Sequence, residues 1–178
     1  MKITPQKLKA IILYFANKTD VKFLGKVKLM KLFYFLDFMH VKKYGAPITY
    51  DKYFNLEHGP IPSMIKNLID TAADDIDNSI LSDVISFERP EGTNMTRVIP
   101  LRSISNKDLQ LFSKKEMETL ERVCKRFGSS NTKYIEDASH DEAPWRETSL
   151  LEEIPYQLAT GDQDCEVSED EISFMLEI

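Results

Sequence analysis

The chain is poor in the side chains that most often carry metal, redox or nucleophilic chemistry: 178 residues include two cysteines, three histidines and one tryptophan. Cys124 and Cys165 are too few for a disulfide framework, so a reducing compartment is the default. Scattered as they are, those cysteines and His40, His58 and His140 give no metal-ligand spacing. Also missing are a Walker phosphate loop, a dinucleotide glycine pattern, a nucleophile elbow and an HExxH pair. These absences exclude the commonest nucleotide-binding and hydrolase folds, though not every enzyme, and leave no residue to name as catalytic, cofactor-binding or metal-ligating. No apolar run approaches the roughly 20 residues of a membrane span. Met1 leads straight into an amphipathic stretch with Lys2, Lys7 and Lys9, unlike a secretion signal. The expected setting is the cytoplasm, without cofactor or membrane.

What is present is ordinary in proportion and uneven in placement. Apolar residues at 42% and charged residues at 29% suit a globular chain long enough to bury roughly 70% of its unfolded surface. Net charge is -6, yet residues 1–66 hold 12 Lys/Arg against 4 Asp/Glu while residues 67–178 hold 11 against 25. Either the two ends face each other within one fold or one of them meets a charged partner. Lysines beside a buried helix are expected to snorkel to water.

The stretch from Lys26 to Tyr44 organises the rest. Leu29, Met30, Leu32, Phe33, Phe35, Leu36, Phe38 and Met39 place apolar side chains all round one helix. Such a helix belongs inside a core. It is expected to enter at Gly25, span about 28 Å and stop at Gly45. Ahead of it, Thr4-Pro5 opens a helix to about Asn17 with Leu8, Ile11, Ile12 and Phe15 on one face. Residues 50–57 fit either a short helix or an extended piece. His58-Gly59-Pro60-Ile61-Pro62 is a turn, followed by a helix from about Pro62 to Ala73.

Ile80–Glu88 and Met95–Arg102 read as the two strands of a hairpin. Ser113 with Glu116 is a capping box for a helix ending at Gly128, and Thr132–Ser139 makes another. From Arg146 onward the chain has ten acidic residues and one arginine. A second capping box, Ser168 with Glu171, precedes a short terminal helix. The predicted architecture is α+β and mainly helical: a central buried helix wrapped by other helices, with a small β-hairpin. Residues 1–145 are expected to form the domain and 146–178 an acidic extension docked on it.

Three arrangements carry possible chemistry. His58 and His140 with Asp37 or Asp141 would make an acid–base site if folding brought them together. Lys26, Lys28, Lys31, Lys42 and Lys43 with Tyr34 and Tyr44 would make a basic, aromatic-dotted face for nucleic acid. The pI of about 5.2 and the apolar central helix argue against that use. The tail runs from Asp162, Asp164 and Glu166 into Phe174 and Met175. Its acidic-then-apolar order suits either docking on its own domain or capture of a basic partner.

Four segments together resemble the Panacea domain of SocA-like antitoxins. Lys28-Leu29-Met30-Lys31-Leu32-Phe33-Tyr34-Phe35 is similar to its KLQKLLYF-type opening, and Tyr44-Gly45-Ala46-Pro47-Ile48 to its G-x-P-[IL] segment. Glu57-His58-Gly59-Pro60-Ile61 is similar to its x-x-G-P-V element, with Ile61 where Val is common. Ser139-His140-Asp141-Glu142-Ala143-Pro144-Trp145 resembles its late H-x-x-x-x-W signature. Order and spacing agree from about Lys7 to Trp145; the acidic extension has no counterpart. The resemblance implies a cytosolic bacterial or phage-borne antitoxin, not an enzyme, that neutralises a toxin by protein contact, with delivery of the toxin to a protease as a variant. Tyr34, His58, Gly59, Pro60, His140 and Trp145 would then bind the partner or pack one corner. Asp162, Asp164, Glu166, Phe174 and Met175 form the expected toxin-binding tail. A DNA-binding regulator using the basic front is the alternative. Oligomeric state is left open.

Overall fold

A computed structural model describes residues 3–178; Lys2, expected on the first helix, lies outside the described residues. Helix α1 (Pro5–Lys18) starts where Thr4 accepts a hydrogen bond from the Lys7 amide, and buries Leu8 and every residue from Ala10 to Ala16. Helix α2 (Lys26–Tyr44) is buried at every position from Lys28 to Lys42. It ends at Gly45, where φ is 80° and the backbone N–H donates a hydrogen bond to the Val41 carbonyl. Phe38 packs against the rings of Tyr34, Tyr53 and Tyr156 at centroid separations of 4.5, 5.5 and 5.0 Å. Phe35 meets Phe127 at 4.3 Å. Fully buried, Phe35, Phe38 and Phe127 each contribute roughly 1.5–3 kcal/mol by leaving water.

The open region 50–57 resolves as extended chain. Strands β1 (Tyr53–Phe54) and β2 (Ile61–Pro62) are followed by α3 (Ser63–Asp74). The Pro62 side chain cannot cap α3, and the buried Asp51 carboxylate does so from a distance, accepting from the Met64 and Ile65 amides at 2.9 Å each. Strands β3 (Ile85–Glu88) and β4 (Arg97–Pro100) form the expected hairpin, shorter than the sequence suggested. Residues 80–84 are turns instead of strand, with Val84 bonded back to Leu81. Leu81 and Val84 are buried three residues apart, a spacing a turn satisfies and a strand does not. The hairpin leans on the entry to α2 through Lys26 N to Thr96 O and Val98 N to Leu24 O.

A short α4 (Asn106–Leu109) precedes α5 (Lys114–Phe127), which opens on the Ser113–Glu116 capping box, and α6 (Thr132–His140). Then come α7 (Ala143–Arg146), β5 (Glu153–Ile154), a 3-10 turn at Tyr156–Gly161, and α8 (Glu169–Glu177), opened by the Ser168–Glu171 box. Strand β5 adds to β1, giving an antiparallel sheet in the order β2-β1-β5 that the sequence reading lacked. Helix α2 packs against α1, α3, α5, α6, β2 and the 3-10 turn, so the fold is mainly helical α+β around one central helix. The extension shares that core: Ile154, Ala159 and Ile172 are buried in it. Among the described residues, no helix is long and apolar enough to cross a membrane.

The two charge halves meet across the fold. Lys7 pairs with Glu116, Lys9 with Asp83, Lys26 with Asp70, Lys43 with Glu118 and Lys52 with Glu153, at 2.6–2.9 Å. These pairs are partly or largely exposed, so solvent screens them and they add little to stability.

Candidate functional site

The central helix is less uniformly apolar than its sequence suggests. Polar side chains recur every third residue, at Lys28, Lys31, Tyr34 and Asp37, and all four are buried. On a helix of 3.6 residues per turn each step of three rotates about 60° backwards, so the four wind across half the circumference. Each holds a different loop. The Lys28 ammonium donates to the carbonyls of Gly128 and Ser130 between α5 and α6. Lys31 donates to the Pro60 carbonyl at 2.9 Å. Tyr34 donates to Glu142 at 3.2 Å. Asp37 accepts from the Ile48 and Thr49 amides, the Thr49 hydroxyl and the Tyr53 hydroxyl.

The expectation that these lysines snorkel is therefore corrected. Lys28, Lys31 and Lys42 are inside, because the loop carbonyls they reach, and the Glu142 and Asp162 carboxylates beside Lys42, are inside too. Burial lowers Lys31 to a pKa of about 7, with Glu136 partly opposing, and Lys28 to about 8. Asp37 is raised to about 6 by burial, which outweighs its hydrogen bonds. Tyr34 is buried as well, so the basic, aromatic-dotted face does not form.

The family-like segments converge on this helix. Gly59 has φ of 93°, and a Cβ there would lie 2.6 Å from Ser139 Oγ and 3.0 Å from Lys31 Nζ. His140 stacks on Trp145 with ring centroids 4.0 Å apart, and the Trp145 indole donates to the Leu56 carbonyl. Tyr34 thus reaches Glu142, Gly59 and Pro60 lie against Lys31 and Ser139, and His140 stacks on Trp145. His58 does not join them: its side chain is 73% exposed and faces Glu136 at 3.2 Å. Among the described residues, no hydrogen bond links His58, His140, Asp37 and Asp141 to one another, and no group of His, Cys, Asp or Glu is placed to hold a metal ion.

Lys42 anchors the extension. Its buried ammonium lies 3.0 Å from Glu142, 2.9 Å from Asp162 and 3.0 Å from Asp164, while its carbonyl accepts the Glu166 amide. Burial alone would lower its pKa, but Glu142 and Asp162 outweigh that and raise it. Asp162 also accepts the Ala143 amide at 2.7 Å. Of the five tail residues singled out, Asp162 is turned inward, Met175 lies against Gly45, and Asp164, Glu166 and Phe174 are exposed. Sequence reasoning gave Lys31 and Asp37 other roles, a basic face and an acid–base site, placed Lys42 on the same basic face, and missed the parts played by Asp51 and Glu142. For Lys31 and Asp37, the three-residue polar rhythm within an apolar run was the available signal.

Among proteins already known, the family described as "Antitoxin SocA-like, Panacea domain" has a model that matches residues 29–146. That span opens within α2 and closes at the end of α7. No curated protein and no solved structure matches the chain.

Proposed function

Because the chain belongs to the SocA-like antitoxin family defined by the Panacea domain, we propose that it neutralises a cognate toxin by direct protein contact in the cytoplasm. The family match over well over half of the chain carries this reading. The buried contacts of Tyr34, Gly59 and Pro60 support it indirectly: these motif residues hold loops on α2, which leaves partner capture to the outer surface. Asp164, Glu166 and Phe174 give the tail an exposed acidic and apolar side suited to a basic toxin. Burial of three of the five lysines weighs against the DNA-binding alternative, since a phosphate-tracking surface needs them in water.

The test is co-expression with the product of the adjoining reading frame under separate induction. Growth arrest by that product should be relieved when this chain is induced, and the two should co-elute in gel filtration. Arrest that persists, or two separate peaks, overturns the proposal. Toxin abundance separates the two modes: masking leaves it unchanged, whereas delivery to a protease lowers it.

A further inference from the structure

Among the described residues, two non-glycines have positive φ, Tyr50 at 57° and Leu151 at 70°. Left-handed backbone disfavours any side chain with a Cβ, and such positions concentrate at binding sites. Leu151 is also 70% exposed, beside Leu150 at 60%. Their loop is firmly tied. The Leu151 amide donates to the Asn55 carbonyl at 2.8 Å and the Asn55 amide to the Glu152 carbonyl at 2.9 Å. The buried Asn55 side chain donates to the Trp145 and Thr148 carbonyls at 2.9 and 2.7 Å. Two leucines are thus presented to solvent on a rigid support.

From Leu151 the surface falls into a recess of about 230 Å³ walled by Phe54, Leu56 and Ile61. Ser63 and Asn67 are common to this recess and a second of about 460 Å³ that reaches Tyr50 and Met64. Tyr50 and Lys52 are common in turn to a third, of about 250 Å³, bounded by Tyr156 and Leu176. Together they form one track over the outward side of the three-stranded sheet. Its strands turn Tyr53, Pro62 and Ile154 inward and Phe54, Ile61 and Glu153 outward.

The charge around the track has one sign left over. Lys52 is held by Glu153 and Lys66 by Asp70. Glu57, Glu152 and Glu177 each follow a residue lining the track and are exposed, and none has a cation partner among the described residues.

We propose that this track is where the toxin docks, with Leu150 and Leu151 as the anchor. The partner is a basic protein that buries an apolar segment in the recesses and meets the marginal carboxylates with Lys or Arg. This rests on the antitoxin reading and adds to it the surface and the partner's chemistry. Pre-organised apolar anchors concentrate binding energy because little order remains to be imposed on contact.

Leu151→Gly is the informative variant, because glycine relieves the backbone and removes the anchor together. The full chain is used, with the product of the adjoining reading frame as probe. The melting temperature should hold or rise, while affinity falls roughly ten-fold or more. Leu151→Met, which keeps an apolar projection, should bind nearly as wild type. If Leu151→Gly and Leu150→Ser both bind as wild type, the track is excluded while the antitoxin reading stands. If the wild-type chain itself captures nothing, that reading falls and takes this occupant with it. Should the chain self-associate and Leu151→Gly dissolve the dimer, the occupant is a second copy and the assignment to a toxin is overturned.

Discussion

Gly59 and Gly92 both sit at positive φ, 93° and 73°, yet their surroundings differ completely. A methyl group at 59 would meet Ser139 Oγ and Lys31 Nζ within 3.0 Å, whereas at 92 nothing lies within 4 Å. Gly92→Ala therefore faces backbone strain alone, about 1 kcal/mol. Gly59→Ala adds displacement of the Lys31–Pro60 contact, and a loss of about 2–4 kcal/mol is expected. Urea denaturation of the two variants side by side checks this. Equal losses would show that the Gly59 turn is not held by its neighbours. Read as sequence, Gly59-Pro60 announces a turn, but nothing local to it names Lys31 or Ser139, 28 and 80 positions away, as what makes the glycine necessary.

At the scale of the element, α2 is at once the best-read and the worst-read part of the chain. Its limits at Gly25 and Gly45 follow from glycine chemistry and match the structure residue for residue. The fate of its lysines does not follow, because side-chain length permits both snorkelling and an inward bond, and the choice depends on loops distant in sequence. The capping boxes of α5 and α8 were legible because a cap is local. The strands of the three-stranded sheet were not, since two residues each are too few to show alternation. Lys31 gives α2 a measurable pH signature. Its folded pKa is lowered from 10.5 to about 7, so between those values the unfolded chain binds the proton that the folded chain has released. Stability should rise with pH across that window, by at most about 1.4 kcal/mol per pH unit, and be flat in this term below 7. Asp37 acts oppositely between 3.8 and about 6, where the folded chain holds the extra proton. Urea midpoints from pH 7 to 10 should climb more steeply for the wild type than for Lys31→Met. Parallel slopes would mean that the ammonium is solvated.

For the whole molecule, the main question is whether the extension is an arm or a part of the fold. Two of the three carboxylates around Lys42, Asp162 and Asp164, come from it, and Ile172 of α8 is buried in the common core. Lys42→Met would strand Glu142 and Asp162 without their cation, a loss of about 3–5 kcal/mol. Removing residues 161–178 would leave the buried ammonium with Glu142 alone. Because both changes break the same cluster, the double variant should cost less than the two losses added, by about 0.5–3 kcal/mol. Urea denaturation of the four proteins measures that coupling, and additivity within about 0.5 kcal/mol would show the tail to be held elsewhere. The same coupling decides how the tail's part in toxin capture has to be measured. Truncation would loosen Glu142, and with it Tyr34 on α2, so lost binding would not distinguish a missing contact from a disturbed domain. Phe174→Ser avoids this, since Phe174 is 64% exposed and its replacement should shift stability by no more than about 0.5 kcal/mol. A weaker complex with Phe174→Ser at unchanged stability would place α8 against the toxin, whereas unchanged affinity would leave α8 only its structural task of burying Ile172 in the core.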